Sequence, residues 1–308
     1  MIDTLILSGG GLKGLGYIGG LKMLENNKII SIKKIKNYYA NSVGTIISLL
    51  LAIGYNFDFL EEFIIKFDFK KIIPKLNLSN IFNNLGISNG NEIMIIIQTM
   101  FLKKTKVKDM TFKEFYNKYN IKLNFITTNY TFGIEEVLSI DDTPDLSVLL
   151  AVRMSISIPL IFTPVIYNNN MYIDGFLSNN FPINKIDIER NNYIAINITK
   201  SYNNKNPNIL EYMKGCIDIA IYNINKNQNN IKNNKIININ FDNVNETELD
   251  NENIINLNNH GKNIIEQYLN VDNTFLSNLQ LFNYIETFTK NTINNCLLSL
   301  KDIKHLSS

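Results

Sequence analysis

A short apolar run that ends in clustered glycines and then turns helical leaves a chain few ways to fold. Residues 4–14 read Thr-Leu-Ile-Leu-Ser-Gly-Gly-Gly-Leu-Lys-Gly. Leu5–Leu7 has the length and the boundary of a buried strand. From Leu12 to Leu24, residues Leu12, Leu15, Ile18 and Leu21 recur near helical spacing, which predicts a helix. The glycines therefore lie between a strand and a helix N-terminus. Backbone N–H groups there have no intrahelical partner, and the helix dipole is positive. Lacking a Cβ, the loop backbone can approach a ligand closely. The stretch reads as an anion-binding loop, and the rest of the chain must identify the anion.

Three chemistries use such a loop. Gly9-x-Gly11-x-x-Gly14 has the dinucleotide spacing. That motif also calls for an acidic residue about 20 positions on, at the end of the next strand. The next strand candidate is Asn37–Ala40, and no acid lies between Ile29 and Tyr55. A phosphate-binding P-loop needs Lys-Ser/Thr after its last glycine, and Leu15-Gly16 stands there instead. The third chemistry is acyl transfer, in which N–H groups hold the charge that develops on a carbonyl oxygen. It requires a nucleophile nearby.

A candidate nucleophile follows. Asn37-Tyr38-Tyr39-Ala40-Asn41-Ser42-Val43-Gly44 runs directly into the apolar helix candidate Thr45–Ile53. This is strand, turn, helix, with Ser42 at the turn and small residues two before and two after it. A nucleophile elbow is tight and needs such small flanks; its usual form is G-x-S-x-G, and Ala40 replaces the first glycine here. Serine is also a common helix N-cap, so the local sequence leaves both roles open for Ser42.

The only two histidines, His260 and His305, lie late in the chain. His260 falls in an Asn-rich stretch read as a turn before Gly261, and His305 is close to the C-terminus. A serine–histidine–aspartate triad would have to recruit one of them. A carboxylate in direct contact with Ser42 is the simpler base. Asp174 is the candidate: Met171-Tyr172-Ile173-Asp174-Gly175-Phe176 is a short strand entering Asp-Gly, followed by a polar turn that Pro182 closes. Asp-Gly alone is equally a turn signal.

Together these segments resemble the patatin-like phospholipase family. Gly9, Gly10, Gly11 and Gly14 match its glycine-rich motif; Ala40, Asn41, Ser42, Val43 and Gly44 match its elbow; and Asp174, Gly175 and Phe176 match its D-G-[GA] motif. Arg153–Val165 is similar to its S-x-S-I-P-x-x-F-x-P stretch, and Asn179-Asn180-Phe181-Pro182 to its N-N-x-P. Departures are Ala40, and Phe176 where the family prefers Gly or Ala. The resemblance covers about Ile2 to Ile198. It implies a single α/β domain with a central, mostly parallel sheet and helices on both faces, a three-layer arrangement. It also implies a Ser42–Asp174 dyad, an oxyanion held by the N–H groups of Gly10 and Gly11 with Gly9 and Gly14 shaping the turn, and Lys13 at a basic motif position. The substrate would be a membrane phospholipid or another acyl lipid, and the chemistry needs no cofactor and no metal. The same motifs serve an acyltransferase or an inactive lipid-binding relative. A nucleotide binder resting on Gly9–Gly14 would leave Ser42 and Asp174 unexplained.

The remaining sequence bounds this reading. The 308 residues carry a formal charge of +2, with no nucleic-acid footprint. Arginine occurs only at Arg153 and Arg190, and isoleucine, asparagine and lysine are over-used, as an AT-rich genome would produce. Cys216 and Cys296 are isolated, and no signal peptide or membrane-spanning run is evident, so an intracellular protein, soluble or peripherally membrane-associated, is expected. Asn91–Leu102 predicts an apolar helix of the core or of a lid, or alternatively a lipid-facing surface beside Lys103, Lys104, Lys106 and Lys108. Leu123–Thr128, Glu136–Ile140, Met171–Ile173, Tyr193–Ile198 and Lys235–Phe241 read as strands, and Leu146–Met154, Ile209–Ile224, Gly261–Leu269 and Thr274–Leu300 as helices. Asn225–Asn234 and Asn251–Asn259 read as loops. The expected organisation is a domain over residues 2–198 and an extension over 199–308 that completes it. The oligomeric state is not legible.

Overall fold

A computed structural model describes residues 2–71, 78–189, 192–199, 235–242 and 250–271, with a few single positions between 212 and 233. In chain order the elements are β1 (Thr4–Leu7), α1 (Gly16–Asn26), β2 (Asn37–Asn41), α2 (Val43–Ala52), α3 (Phe57–Lys66), α4 (Leu78–Asn84), β3 (Gly86–Ser88), α5 (Asn91–Thr105) and α6 (Phe112–Tyr119). They continue with β4 (Lys122–Asn129), β5 (Ile134–Ser139), α7 (Val148–Ser155), β6 (Leu160–Phe162), β7 (Val165–Tyr167), β8 (Asn170–Asp174), α8 (Phe176–Asn179), β9 (Tyr193–Thr199), β10 (Ile236–Asn240) and α9 (Asn251–Val271).

The main sheet runs β10-β9-β1-β2-β4-β8-β7, with β5 also on β4. Strands β10, β9, β1, β2 and β4 are mutually parallel; β5, β8 and β7 join antiparallel. This is the expected α/β architecture with a largely parallel sheet. The two faces are covered unequally. Leu5 and Leu7, Tyr38 and Ala40, Ile194 and Ile196 turn to one face and join the large core with residues of α1, α2, α5, α7 and α9. Their neighbours Ile6, Tyr193 and Ala195 turn to the other face, where Phe181 and Ile183, just after α8, cover them. Such alternation, apolar on both sides, is what a strand buried between two layers requires.

Strand β4 positions the site. Its residues 124–129 pair with β5 along one edge. Along the other edge it pairs first with β2, up to Asn41 opposite Ile126, and then with β8, beginning at Asp174 opposite Thr127. β2 and β8 therefore run toward each other on one edge of β4 and end at adjacent rungs.

Several elements depart from the sequence reading. The helix expected from Leu12 opens as a 3₁₀ turn over Gly11–Leu15 and becomes α-helical at Gly16. The loop expected at Asn251–Asn259 is instead the first half of one helix, α9. Its Ile254, Leu257, Ile265 and Leu269 are buried, and this packing overrides the poor helix propensity of its asparagines. Gly261 lies within that helix, and its lack of a Cβ lets α9 approach α1, since a Cβ there would come within 2.0 Å of the Gly16 carbonyl oxygen. β3, β6 and β7 span three residues each, too short for a periodic signal. In α5, Met94, Ile97, Met100 and Phe101 are buried, and Lys103 and Lys104 lie over the rings of Phe59 and Tyr55. The expected helices at Ile209–Ile224 and Thr274–Leu300, the loop at Asn225–Asn234, Cys216, Cys296 and His305 lie outside the described residues. Among the described residues no helix is long and apolar enough to cross a membrane.

Candidate active site

Ser42 stands at the N-cap position of α2 with φ 49° and ψ −126°, a conformation strained for a residue with a side chain. Its side chain caps nothing. Oγ donates instead to Asp174 Oδ2 at 2.6 Å, across 132 residues of sequence. The small residues that flank Ser42 leave room for this reversal. Ala40 is fully buried, opposite Leu7 on one side and Phe125 on the other. A Cβ on Gly44 would meet the carbonyl oxygens of Leu7 at 2.8 Å and Ser8 at 3.0 Å, so α2 can start this close to β1 only with glycine there.

Asp174 is fully buried. Its other oxygen, Oδ1, accepts from the Phe176 N–H at 2.9 Å, and its own N–H donates to the Ser157 carbonyl. Burial raises its pKa from 3.8 to about 7, against the opposing pull of the hydrogen bonds from Ser42, Phe176 and Asn41. Gly175 must be small, since a Cβ would lie 2.5 Å from Asn41 Oδ1 and 2.7 Å from the Ile126 carbonyl oxygen. Phe176, for its part, supplies only a backbone N–H to the aspartate.

The glycine loop lies against the same corner. A Cβ on Gly9 would come within 3.1 Å of Ser42 Cβ, and one on Gly14 within 2.4 Å of Val43 Cγ2. Gly10 faces Ile198 of β9. The N–H groups of Ser8, Gly9 and Lys13 are taken by Ile196, Asn180 and Gly10 carbonyls. Among the described residues those of Gly10 and Gly11 find no such acceptor, and Gly11 adopts φ 55° with open space on its Cβ side.

Five residues assigned no role in the sequence reading hold this corner together. Ser155 Oγ accepts from the Ser42 N–H at 2.9 Å and donates to the Ile126 carbonyl at 2.6 Å, tying the elbow to β4. Asn180 Oδ1 accepts from Asn41 Nδ2. Ser8 Oγ donates to the Gly9 carbonyl and accepts from the Ile198 N–H, while Tyr17, fully buried with its pKa raised by that burial, donates to the Ser8 carbonyl. Arg153 donates to the Asn89 and Thr163 carbonyls and to Ser157 Oγ, bracing the loop whose Ser157 carbonyl receives the Asp174 N–H. Burial lowers the Arg153 guanidinium to about 10. Ser8, Ser155, Asn180 and Arg153 stand inside the quoted segments, while nothing in the sequence marks Tyr17.

His260 lies elsewhere, on α9, with Nε2 2.6 Å from the Asn240 carbonyl oxygen and its ring against Phe241.

The profile of the family described as patatin-like phospholipase matches residues 5–186. A probable lipid hydrolase, 463L, of Invertebrate iridescent virus 6 is 33% identical over 220 residues, 68% of this chain and 74% of its own. Uncharacterized protein R571 of Acanthamoeba polyphaga mimivirus is 32% identical over 197 residues, 63% of this chain and 65% of its own. Among solved structures, VipD from Legionella pneumophila shares the fold, with a TM-score of 0.65 at 16% identity over 88% of this chain and 67% of that one. The chain belongs to the patatin-like phospholipase family.

Proposed function

We propose that the protein is a lipid acyl hydrolase that cleaves fatty-acyl esters with Ser42 as nucleophile and Asp174 as its base. The observation that carries this reading is the 2.6 Å hydrogen bond from Ser42 Oγ to a fully buried Asp174. A carboxylate with a pKa of about 7 is matched to taking and returning a proton near neutrality.

Asp174 accepts the hydroxyl proton as Oγ bonds to the ester carbonyl carbon, and the carbonyl π electrons move onto oxygen. The Gly10 and Gly11 N–H groups receive that oxyanion, at the positive end of the turn entering α1. When the carbonyl re-forms, the bond to the alcohol oxygen breaks, and the alcohol leaves with the proton held by Asp174. Water then attacks the acyl-enzyme and gives its proton to Asp174. Collapse of the second tetrahedral intermediate breaks the bond to Oγ, which recovers the proton, and the fatty acid departs. Lys13, at the basic motif position, is buried within the same turn.

A fluorophosphonate probe tests the assignment, because it forms a stable bond only with an activated hydroxyl. Wild type should label stoichiometrically and Ser42→Ala should not. Labelling of folded Ser42→Ala protein would remove Ser42 from this role.

A further inference from the structure

We infer that the hairpin tips beyond β4, β7 and β8 form a docking surface for a lipid interface of zero net charge. This rests on the lipid hydrolase reading, since it concerns how that site would meet its substrate.

The strand register assembles the surface. Asp174, Ile173 and Tyr172 pair with Thr127, Thr128 and Asn129, and the next rung brings Met171 opposite Tyr130, whose N–H donates to the Met171 carbonyl. Met171 in turn pairs with Ile166 on β7. Tyr130, Met171 and Ile166 thus form one cross-strand row on one face of the sheet, with Phe132 in the adjoining turn. Tyr130, Phe132 and Ile166 are 62%, 65% and 64% exposed, although residues of these types are ordinarily covered. Grouped exposed apolar residues mark an interaction surface, whereas scattered ones do not.

Position and charge select the occupant. The row lies three rungs from Asp174, about 10 Å along β4, toward the strand ends where ligands of α/β sheets bind. The Tyr130, Phe132 and Ile166 side chains are each more than 60% exposed and so are open to a soft planar surface. Tyrosine settles at a membrane–water boundary, and phenylalanine is a side chain that inserts into it. Between Lys122 and Lys185 the sequence holds one cation, Arg153, against six carboxylates, and Arg153 is already committed to backbone carbonyls. Glu135 is paired with Lys185, and Glu136 with Asn129. Among the described residues of this segment none offers a free cation to an anionic membrane, so its affinity must come from apolar insertion.

Flotation with pure phosphatidylcholine vesicles tests this. Wild type and Ser42→Ala should bind alike, and about 0.5 M salt should not release them. The triple variant Tyr130→Ser/Phe132→Ser/Ile166→Asn should bind at least about 30-fold more weakly, while hydrolysing a soluble short-chain ester within about twofold of wild type. Phe132→Asp, at an exposed turn position, should reproduce most of the loss in a folded protein. Vesicle binding retained by the triple variant would overturn the proposal. So would binding confined to anionic vesicles and reversed by salt, or a solution dimer that Phe132→Asp dissociates, since a second copy would then cover the patch. If no ester is hydrolysed yet vesicle binding still depends on the three residues, the catalytic reading fails and the docking surface stands.

Discussion

Strands β2 and β8 end within hydrogen-bond distance of each other, yet they deliver their residues by different means. At the end of β2, local geometry does the work: Ser42 takes a positive φ, small residues flank it, and a helix begins at once. At the end of β8, Asp174 is placed by non-local pairing, through Thr127 and the rung next to Asn41. Its backbone needs no strain, and its special property is electrostatic. Both side chains are buried, but Ser42 is set by a strained turn and Asp174 is tuned by its removal from water. Each end borrows from the same strand, since Ser155 ties Ser42 to the Ile126 carbonyl and Gly175 packs against that same group.

The sharpest way to break the comparison is to delete each end separately. On the proposed mechanism Ser42→Ala and Asp174→Asn should each lower kcat on a soluble ester by roughly 10⁴-fold or more, and the double variant little further, as for two groups that act as a unit. Additive losses would show that they work independently. Retained activity in folded Ser42→Ala protein would end the comparison altogether.

Ser155 tests whether the strained end depends on its tether. Ser155→Ala leaves a buried N–H on Ser42 and a buried carbonyl on Ile126 without their partner. The expected loss is about 100-fold in kcat with KM little changed, as for a nucleophile misplaced by about 1 Å. Ser155→Thr, which restores the hydroxyl, should recover part of that loss. Equal losses in both variants would reduce Ser155 to a packing role.

The buried end is tested by pH. Asp174 must be ionised to accept a proton, so kcat/KM should fall tenfold per pH unit below a midpoint of about 7. Stability should move the other way. The folded-state pKa lies above the ordinary 3.8, so the folded protein holds the proton more tightly than the unfolded chain. The stability this supplies is complete below the ordinary value and is lost as pH rises through about 7, at about 1.4 kcal/mol per unit within that window. Thermal melts of wild type and Asp174→Asn from pH 4 to 8 should therefore diverge, with wild type losing ground. Parallel curves would mean that Asp174 titrates normally.

The same contrast explains what the sequence disclosed. The Ser42 corner was legible because strain and small residues leave local marks: Gly9, Gly14 and Gly44 each face a neighbour that a Cβ would strike. Asp174 was legible only through an ordered set of motifs, since Asp-Gly alone is a turn signal, and the rung that seats it beside Ser42 is a tertiary fact. The three-residue strands β3, β6 and β7 are too short to show a period. α9 was half missed because its asparagines disfavour helix while four buried side chains and α1 compel it. Tyr17 falls unmarked inside the helix expected from Leu12, and its hydrogen bond to Ser8 depends on packing.

The smallest expected effect concerns His260, the one described histidine. As a third member of the site it would have to orient Asp174 or take the Ser42 proton, and its place in the fold opposes this. It sits against Asn240 at the end of β10, and β10 is separated from β2 by β9 and β1. Three strand spacings of about 4.8 Å put roughly 14 Å between those strands, beyond direct hydrogen bonding. Its observed contacts are structural: Nε2 on the Asn240 carbonyl and the ring against Phe241, which also packs on Gly16 of α1. His260→Ala should therefore cost about 1 kcal/mol of stability, from one hydrogen bond and one ring contact. Activity on a soluble ester should stay within about twofold of wild type, with the same pH midpoint. A folded His260→Ala protein as inactive as Asp174→Asn would replace the two-residue site with a triad, and would place its third member where this fold has no path for it.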